Sequence, residues 1–228
     1  EMVAQQRADE LGKYLASIRD DLVVTAASST TVTALGNMQM GWQQLIEDQT
    51  DKLQDVFITQ NPNSPEERDL YDAPDSKFGY SITHKKFHPA FKSQRDTRGY
   101  GDIYLFDKEG NLYYTVAKQS DFAASFAAGT PLAETELGKV YQAALGATGS
   151  DTVFFSDLAP YAPLNGELSR FIAAPIFTGK TLLGVLAFRM SETGIAAVLD
   201  SRVGLGETGE TLLVGGDGLL RSDSPFTE

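Results

Sequence analysis

Apolar side chains at Leu11, Tyr14, Leu15, Ile18, Leu22 and Ala26 recur at spacings of three and four, which marks one face of a helix. Arg7, Asp9, Glu10, Lys13, Asp20 and Asp21 take the other face. The pattern predicts an amphipathic helix from residue 1 to about 28, the longest element of the chain. Its stripe packs on its own domain, and part of it is also suited to pairing with a second copy, as in a coiled coil. The run Ser28-Ser29-Thr30-Thr31 offers N-cap hydroxyls for a break and restart. A second helix is predicted over residues 32–58, with Leu35, Trp42, Leu45, Ile46, Leu53, Val56 and Phe57 inward and Trp42 as a core anchor. Asn61-Pro62 makes a turn, after which Ser64, Pro65 and Glu67 fit the N-cap, first-turn and capping-box positions of a short helix. Pro74 and Gly79 interrupt it, and a further short helix is predicted over residues 80–94, with Pro89 as a break.

From Gly101 the pattern changes to short β-prone runs. Residues 102–106 and 112–116 flank Asp107-Lys108-Glu109-Gly110-Asn111, a polar turn whose glycine supplies a positive φ, so the pair reads as a β-hairpin. Three more strands are predicted at residues 152–156, 170–177 and 181–190, the last two joined by the tight turn Thr178-Gly179-Lys180. Thr130-Pro131 opens a helix over residues 132–145, ended by Gly146, which crosses between the second and third strands. A polar-to-apolar stretch at 119–127 and a proline-stiffened loop at 157–166 cover the sheet. A connecting helix at 192–201 then leads to a second, smaller hairpin around Gly215-Gly216-Asp217-Gly218. The class is α+β. Its expected divisions are a helical stalk and cover at 1–98, a module built on an antiparallel sheet at 99–190, and a connecting helix with the start of a second sheet module at 191–228.

The chain of 228 residues carries no cysteine, which removes disulfides and thiolate metal sites and suits a bacterial envelope protein. A net charge of -12 argues against nucleic acid and against resting on an anionic membrane. The sequence contains no transmembrane run and no signal peptide. It opens and closes in mid-pattern and reads as a piece of a longer protein.

Residues for acid–base or nucleophilic catalysis are thin, so no enzyme is expected. His84 and His88 share a helix face at i and i+4. Two imidazoles with Lys85 and Lys86 between them do not make a metal site, and they read as a helix-to-sheet junction. The run Gly204-Leu205-Gly206-Glu207-Thr208-Gly209 matches the letters of a dinucleotide fingerprint. A helix precedes it and a strand follows, the reverse of what phosphate binding needs, and Glu207 and Glu210 would repel phosphate. It reads as a turn between modules. The better binding candidate lies between the sheet and its covering loops. Tyr104, Tyr113, Tyr161 and Phe171 supply aromatic walls, Thr115 a hydroxyl, and Lys118, Asp121 and Asp157 orienting charges. Tyr114 and Arg170 belong to the same surface, and Asp157 is the first choice for meeting an ammonium or hydroxyl group.

Several motifs occur in one order: His84-x-x-x-His88-Pro89; residues 99–107, GYGDIYLFD; Asp121-Phe122; Asp157-x-x-Pro160-Tyr161-Ala162-Pro163; residues 171–176, FIAAPI; residues 184–188, GVLAF; and residues 204–211, GLGETGET. Together they resemble the periplasmic double Cache (PAS-like) sensor domain of bacterial methyl-accepting chemotaxis proteins. The resemblance covers nearly the whole chain, and the last motif is its most specific part. It implies a long N-terminal helix leaving a transmembrane segment, a membrane-distal PAS-like Cache module at 99–190 that binds a small molecule, and a membrane-proximal module beginning after 191. It also implies a periplasmic location in an inner-membrane protein, membrane contact only through flanking helices, a homodimer in the intact receptor, no cofactor, and signalling by a ligand-induced helix shift. Related ectodomains also serve histidine kinases and nucleotide cyclases, and a free-standing periplasmic binding protein is the third reading. Family members that bind amino acids carry a Trp/Tyr/Arg cluster after the second strand and an Asp in the Pro-Tyr loop. Here those places hold residues 118–122, KQSDF, and Ala162-Pro163, which speaks against the usual amino-acid recognition.

Overall fold

The computed structural model describes residues 2–72, 74, 78–200, 205 and 209–222. By its internal contacts the chain divides into two units, residues 1–21 with 191–228, and residues 22–190. The expected turn at 204–209 lies largely outside the described residues, and of the second hairpin the structure shows an isolated bridge between Val214 and Leu220.

Helix α1, Met2–Ala27, contributes to both units. Its last turns bring Leu22 and Ala26 into the core of the larger unit. Ser28 then breaks the helix, its hydroxyl accepting from the Thr31 N–H, and α2 follows as Ser29–Gln43. Where one helix over 32–58 was expected, the chain turns between α2 and α3, Gln49–Gln54, with Ile46 and Asp48 in left-handed conformations. A π-helical turn, Asp55–Thr59, continues α3 and buries Val56 and Phe57. Residues 65–70 form a 3-10 turn in which Ser64 makes no side-chain cap. Helix α4, Gly79–Arg98, runs straight through Pro89. The proline removes one backbone bond, but burial of His84, Phe87, His88 and Phe91 on the flanking turns holds the helix together.

Five strands form the main sheet: β1 Asp102–Phe106, β2 Leu112–Thr115, β3 Phe154–Phe155, β6 Phe171–Thr178 and β7 Thr181–Arg189. The order is β2-β1-β7-β6-β3, and every pairing is antiparallel. The hairpin turns fall where glycine allows them, at Gly110 with φ 94° and Gly179 with φ 58°. Strand β3 is shorter than expected. The proline-stiffened loop instead folds into a two-stranded ribbon, β4 Ala159–Tyr161 with β5 Glu167–Ser169, closed by Asn165 and Gly166 at positive φ. Between β2 and β3 the crossover helix is α5, Glu136–Leu145, capped by the Thr135 hydroxyl. The last helix is α6, Glu192–Leu199.

The sheet is buried on both faces, and β1 and β2 have no exposed residue. Tyr104, Phe106, Phe171, Ala173, Val185 and Ala187 pack beneath α5 on Leu137, Val140 and Tyr141. On the opposite face α2 and α4 lie together, with Tyr114 against Phe91 at a 5.2 Å ring separation. Gly41 permits the close approach of these helices, since a Cβ there would stand 2.7 Å from the Tyr80 Cα. Among the described residues no helix is long and apolar enough to cross a membrane.

Candidate functional site

The strand pleat aims alternate residues at alternate faces. Asp102 therefore shares the α5-facing side with Tyr104 and Phe106, and it pairs in register with Arg189 across β1 and β7. Asp102 is buried. Its Oδ1 accepts three backbone N–H groups, Ile103 at 2.8 Å, Val116 at 2.8 Å and Ala117 at 3.1 Å. Its Oδ2 is buried without a hydrogen-bond partner. Burial raises the Asp102 pKa, against the opposing pull of Arg189 and the N–H donors.

The Val116 and Ala117 bonds anchor the start of the loop after β2. At Lys118 the backbone turns left-handed, φ 55°, and its N–H donates to the Thr115 hydroxyl at 2.9 Å. The Lys118 ammonium is buried, donates to the Thr115 carbonyl, and lies 4.3 Å from the Tyr114 ring centroid and 5.0 Å from that of Phe122. Burial pushes its pKa down to about 7, and the carboxylates of Asp102, Asp69 and Asp121 only partly oppose this.

Asp121 sits one short turn further on and is equally buried. Its Oδ2 accepts the Tyr161 hydroxyl at 2.7 Å, which ties the loop after β2 to the β4–β5 ribbon. Its Oδ1 has no partner. Burial raises the Asp121 pKa to about 7, the Tyr161 bond acting the other way. Tyr161 packs edge-on to Phe171 at 5.0 Å, and Phe171 edge-on to Tyr104 at 6.0 Å. Arg189 closes the group: its guanidinium donates to the Gly101 carbonyl at 3.2 Å and reaches Glu167 at 3.5 Å, while its Nε is buried and unbonded. The loop is fastened from outside, with Gln54 donating to the Ser120 and Phe122 carbonyls, Thr50 to Ala123 and Arg68 to Lys118.

Of the residues named from sequence, Tyr104, Asp121, Tyr161 and Phe171 meet directly, with Thr115 paired to Tyr104 across the strands. Lys118 lies on the same loop with its ammonium among the rings of the helical face. Tyr113 is elsewhere: a bulge opposite Leu105 and Phe106 makes it the extra residue, and it packs on Trp42 at 5.2 Å. Asp157 is exposed, and its N–H donates to Glu136 at 3.2 Å. Sequence reasoning passed over Asp102 and Arg189. The available signal was a carboxylate on the inward side of an otherwise apolar strand.

His84 and His88 stack at 4.4 Å. The Nε2 of His88 faces the Asp69 carbonyl at 2.7 Å and therefore carries the proton, and Nδ1 accepts from the Tyr114 hydroxyl at 2.6 Å. Burial, with Lys118 nearby, drives its pKa down to about 3. The pair is thus neutral and part of the packing between α4 and the sheet. Among the described residues no group of three His, Cys, Asp or Glu is placed to hold a metal.

No protein-family model and no curated relative matches the sequence. Among the solved structures similar to the chain are two ligand-binding domains of chemoreceptors and a sensor domain of a histidine kinase. The ligand-binding domain of the Pseudomonas fluorescens chemoreceptor CtaA in complex with L-serine is 14% identical, with 96% of this chain and 74% of that chain covered and a TM-score of 0.43. The ligand-binding domain of the Pseudomonas aeruginosa PAO1 amino-acid chemoreceptor PctC in complex with GABA is 15% identical over 90% of this chain and 77% of that one, TM-score 0.40. The sensor domain of the V. cholerae histidine kinase DctB is 16% identical over 72% and 58%, TM-score 0.37.

Proposed function

We propose that this chain is the extracytoplasmic small-molecule sensing domain of a bacterial transmembrane chemoreceptor, with its ligand seated between the sheet and the covering loops at Asp121. The observation that carries the reading is that three buried polar atoms of this one group have no hydrogen-bond partner in the packed protein: Asp102 Oδ2, Asp121 Oδ1 and Arg189 Nε. Buried polar groups are nearly always satisfied, and a ligand is one way of satisfying them. The two carboxylates suit an ammonium or hydroxyl group, and Tyr104, Tyr161 and Phe171 suit the apolar body that carries it. The motif order along the chain supports the same reading.

Ligand seated here bears on Arg189 at the end of β7, the strand that leads through Met190 into α6. A shift of about an ångström in such an element is enough for switching. In the intact receptor, helices flanking this domain fix it to the inner membrane, and α1 pairs with a second copy. A thermal-shift screen of amines, amino acids, organic acids and purines tests the reading. At least one compound is expected to raise the melting temperature of the wild type and not that of Asp121→Ala. A compound that stabilises both alike overturns the assignment of the site.

A further inference from the structure

The residues proposed to meet the ligand are closed in. Tyr104, Asp121 and Tyr161 are each 1% exposed and Phe171 0%, so a ligand reaches them only if part of their cover moves. Two pieces of chain form that cover, the β4–β5 ribbon and residues 118–123. The ribbon is held by strand pairing along its length. Residues 118–123 are held differently, around two buried ionisable side chains.

Neither side chain has a counter-ion. The Lys118 ammonium donates to the Thr115 carbonyl and otherwise lies among rings, 4.3 Å from the Tyr114 centroid, 5.0 Å from Phe122 and 5.8 Å from Phe57. Among the described residues no carboxylate is close enough to form an ion pair with it. The charged and titratable groups that face it are Asp102 from β1, Asp69 from the 3-10 turn, and His84, His88 and Arg95 from α4. Asp121 points to the other side of the loop. Its Oδ2 accepts the Tyr161 hydroxyl and its Oδ1 is unbonded. Asp102, Arg189 and Tyr104 face it and form no ion pair or hydrogen bond with it. Lys118 and Asp121 do not pair with each other either.

A buried charge without a partner is strongly disfavoured, so packing favours Lys118 as the amine and Asp121 as the acid. The downward shift of the Lys118 pKa and the upward shift of the Asp121 pKa agree with this. In water near pH 7 both groups are charged. Closing the segment therefore costs two neutralisations, and opening it recovers them. The backbone is also left-handed at both ends of the segment, φ 55° at Lys118 and φ 61° at Ala123. Non-glycine residues resist that conformation, and release at these two positions swings the residues between them.

From these observations we infer that residues 118–123 form a strap that opens and recloses locally, hinged at Lys118 and Ala123, to admit the ligand to Asp121. The inference rests on the placement of the ligand at Asp121 given above. An ammonium group seated there supplies the counter-ion that the packed strap lacks, so ligand and closure favour each other.

Amide hydrogen exchange of the ligand-free domain, read by NMR near pH 7, tests the strap. The N–H groups of Lys118, Phe122 and Ala124 are bonded to the Thr115 hydroxyl and to the Gln119 and Asp121 carbonyls, so they report its opening. Their protection should be at least about tenfold lower than that of the paired amides of β1 and β7, which are freed only when the sheet comes apart. The double variant Lys118→Met, Asp121→Asn should raise their protection at least about tenfold over wild type. Should that variant fail to fold, Asp121→Asn alone should raise it at least about threefold. Strap amides as protected as those of β1 and β7 in the wild type, or protection unchanged in the variants, would overturn the inference. No ligand enters the measurement, so failure of the strap and failure of the ligand site, which the thermal-shift screen tests, are read separately.

Discussion

Replacing Asp121 by Asn should stabilise the protein, and the gain should grow with pH. In the unfolded chain the carboxyl ionises near 3.8; in the native protein burial raises this to about 7. Between those values the native state holds a proton that the unfolded chain has lost, so raising the pH favours unfolding. Below 3.8 the contribution vanishes, and above about 7 the full penalty of a buried carboxylate is present. The gap corresponds to roughly 4 kcal/mol at about 1.4 kcal/mol per pH unit. Asparagine keeps the shape, accepts the Tyr161 hydroxyl through its carbonyl oxygen, and never ionises. Urea denaturation of wild type and Asp121→Asn at several pH values gives the difference directly, and the other titrating groups cancel to first order. The variant should match the wild type within about 1 kcal/mol at pH 4 and exceed it by roughly 3–4 kcal/mol at pH 8. A difference independent of pH, or one that shrinks as pH rises, would refute the reasoning.

Three further outcomes follow from the same packing. Lys118→Met should stabilise the protein at pH 6, by up to roughly 3 kcal/mol, because an ammonium whose pKa falls to about 7 is held charged in a buried site. The gain should fade as the pH rises from about 7 toward 10, where the lysine of the unfolded chain is losing its charge as well, and denaturant melts at both pH values check it. Tyr161→Phe removes the hydroxyl from Asp121 Oδ2 and leaves a second buried oxygen unpaired, so thermal denaturation should show a loss of about 1–3 kcal/mol. Gly184→Ala should cost roughly 3 kcal/mol or more by the same measurement, since the new Cβ would meet the Phe106 carbonyl oxygen and stand 2.9 Å from Leu35.

The strands of the main sheet were legible because each was a short β-prone run between turns with a clear backbone reason, such as Gly110 and Gly179. Helix α4 was harder to read. Pro89 is a strong local breaker, and only the buried row of His84, Phe87, His88 and Phe91 shows why it failed to break the helix. The ribbon β4–β5 was hidden because two prolines in residues 157–166 read as stiff loop, whereas each pairing there spans only three residues. At the candidate site, the meeting of Asp121 with Tyr161 joins positions 40 residues apart, which no local pattern encodes. Tyr113 shows the converse limit. The alternation that places Tyr104 inward says nothing of a bulge, and one inserted residue sent Tyr113 to Trp42. Lone charges in strands, Asp102 and Arg189, were passed over in the sequence and became meaningful only once β1 and β7 were paired.

The central claim, a small-molecule site between the sheet and its loops, is tested most directly by backbone-amide NMR of the domain with a compound that raises its melting temperature. Saturable shifts are expected to concentrate at residues 118–123, 161 and 171, all lost in Asp121→Ala while the rest of that variant's spectrum stays folded. Saturable shifts confined to other parts of the chain, with these amides unmoved, would contradict it.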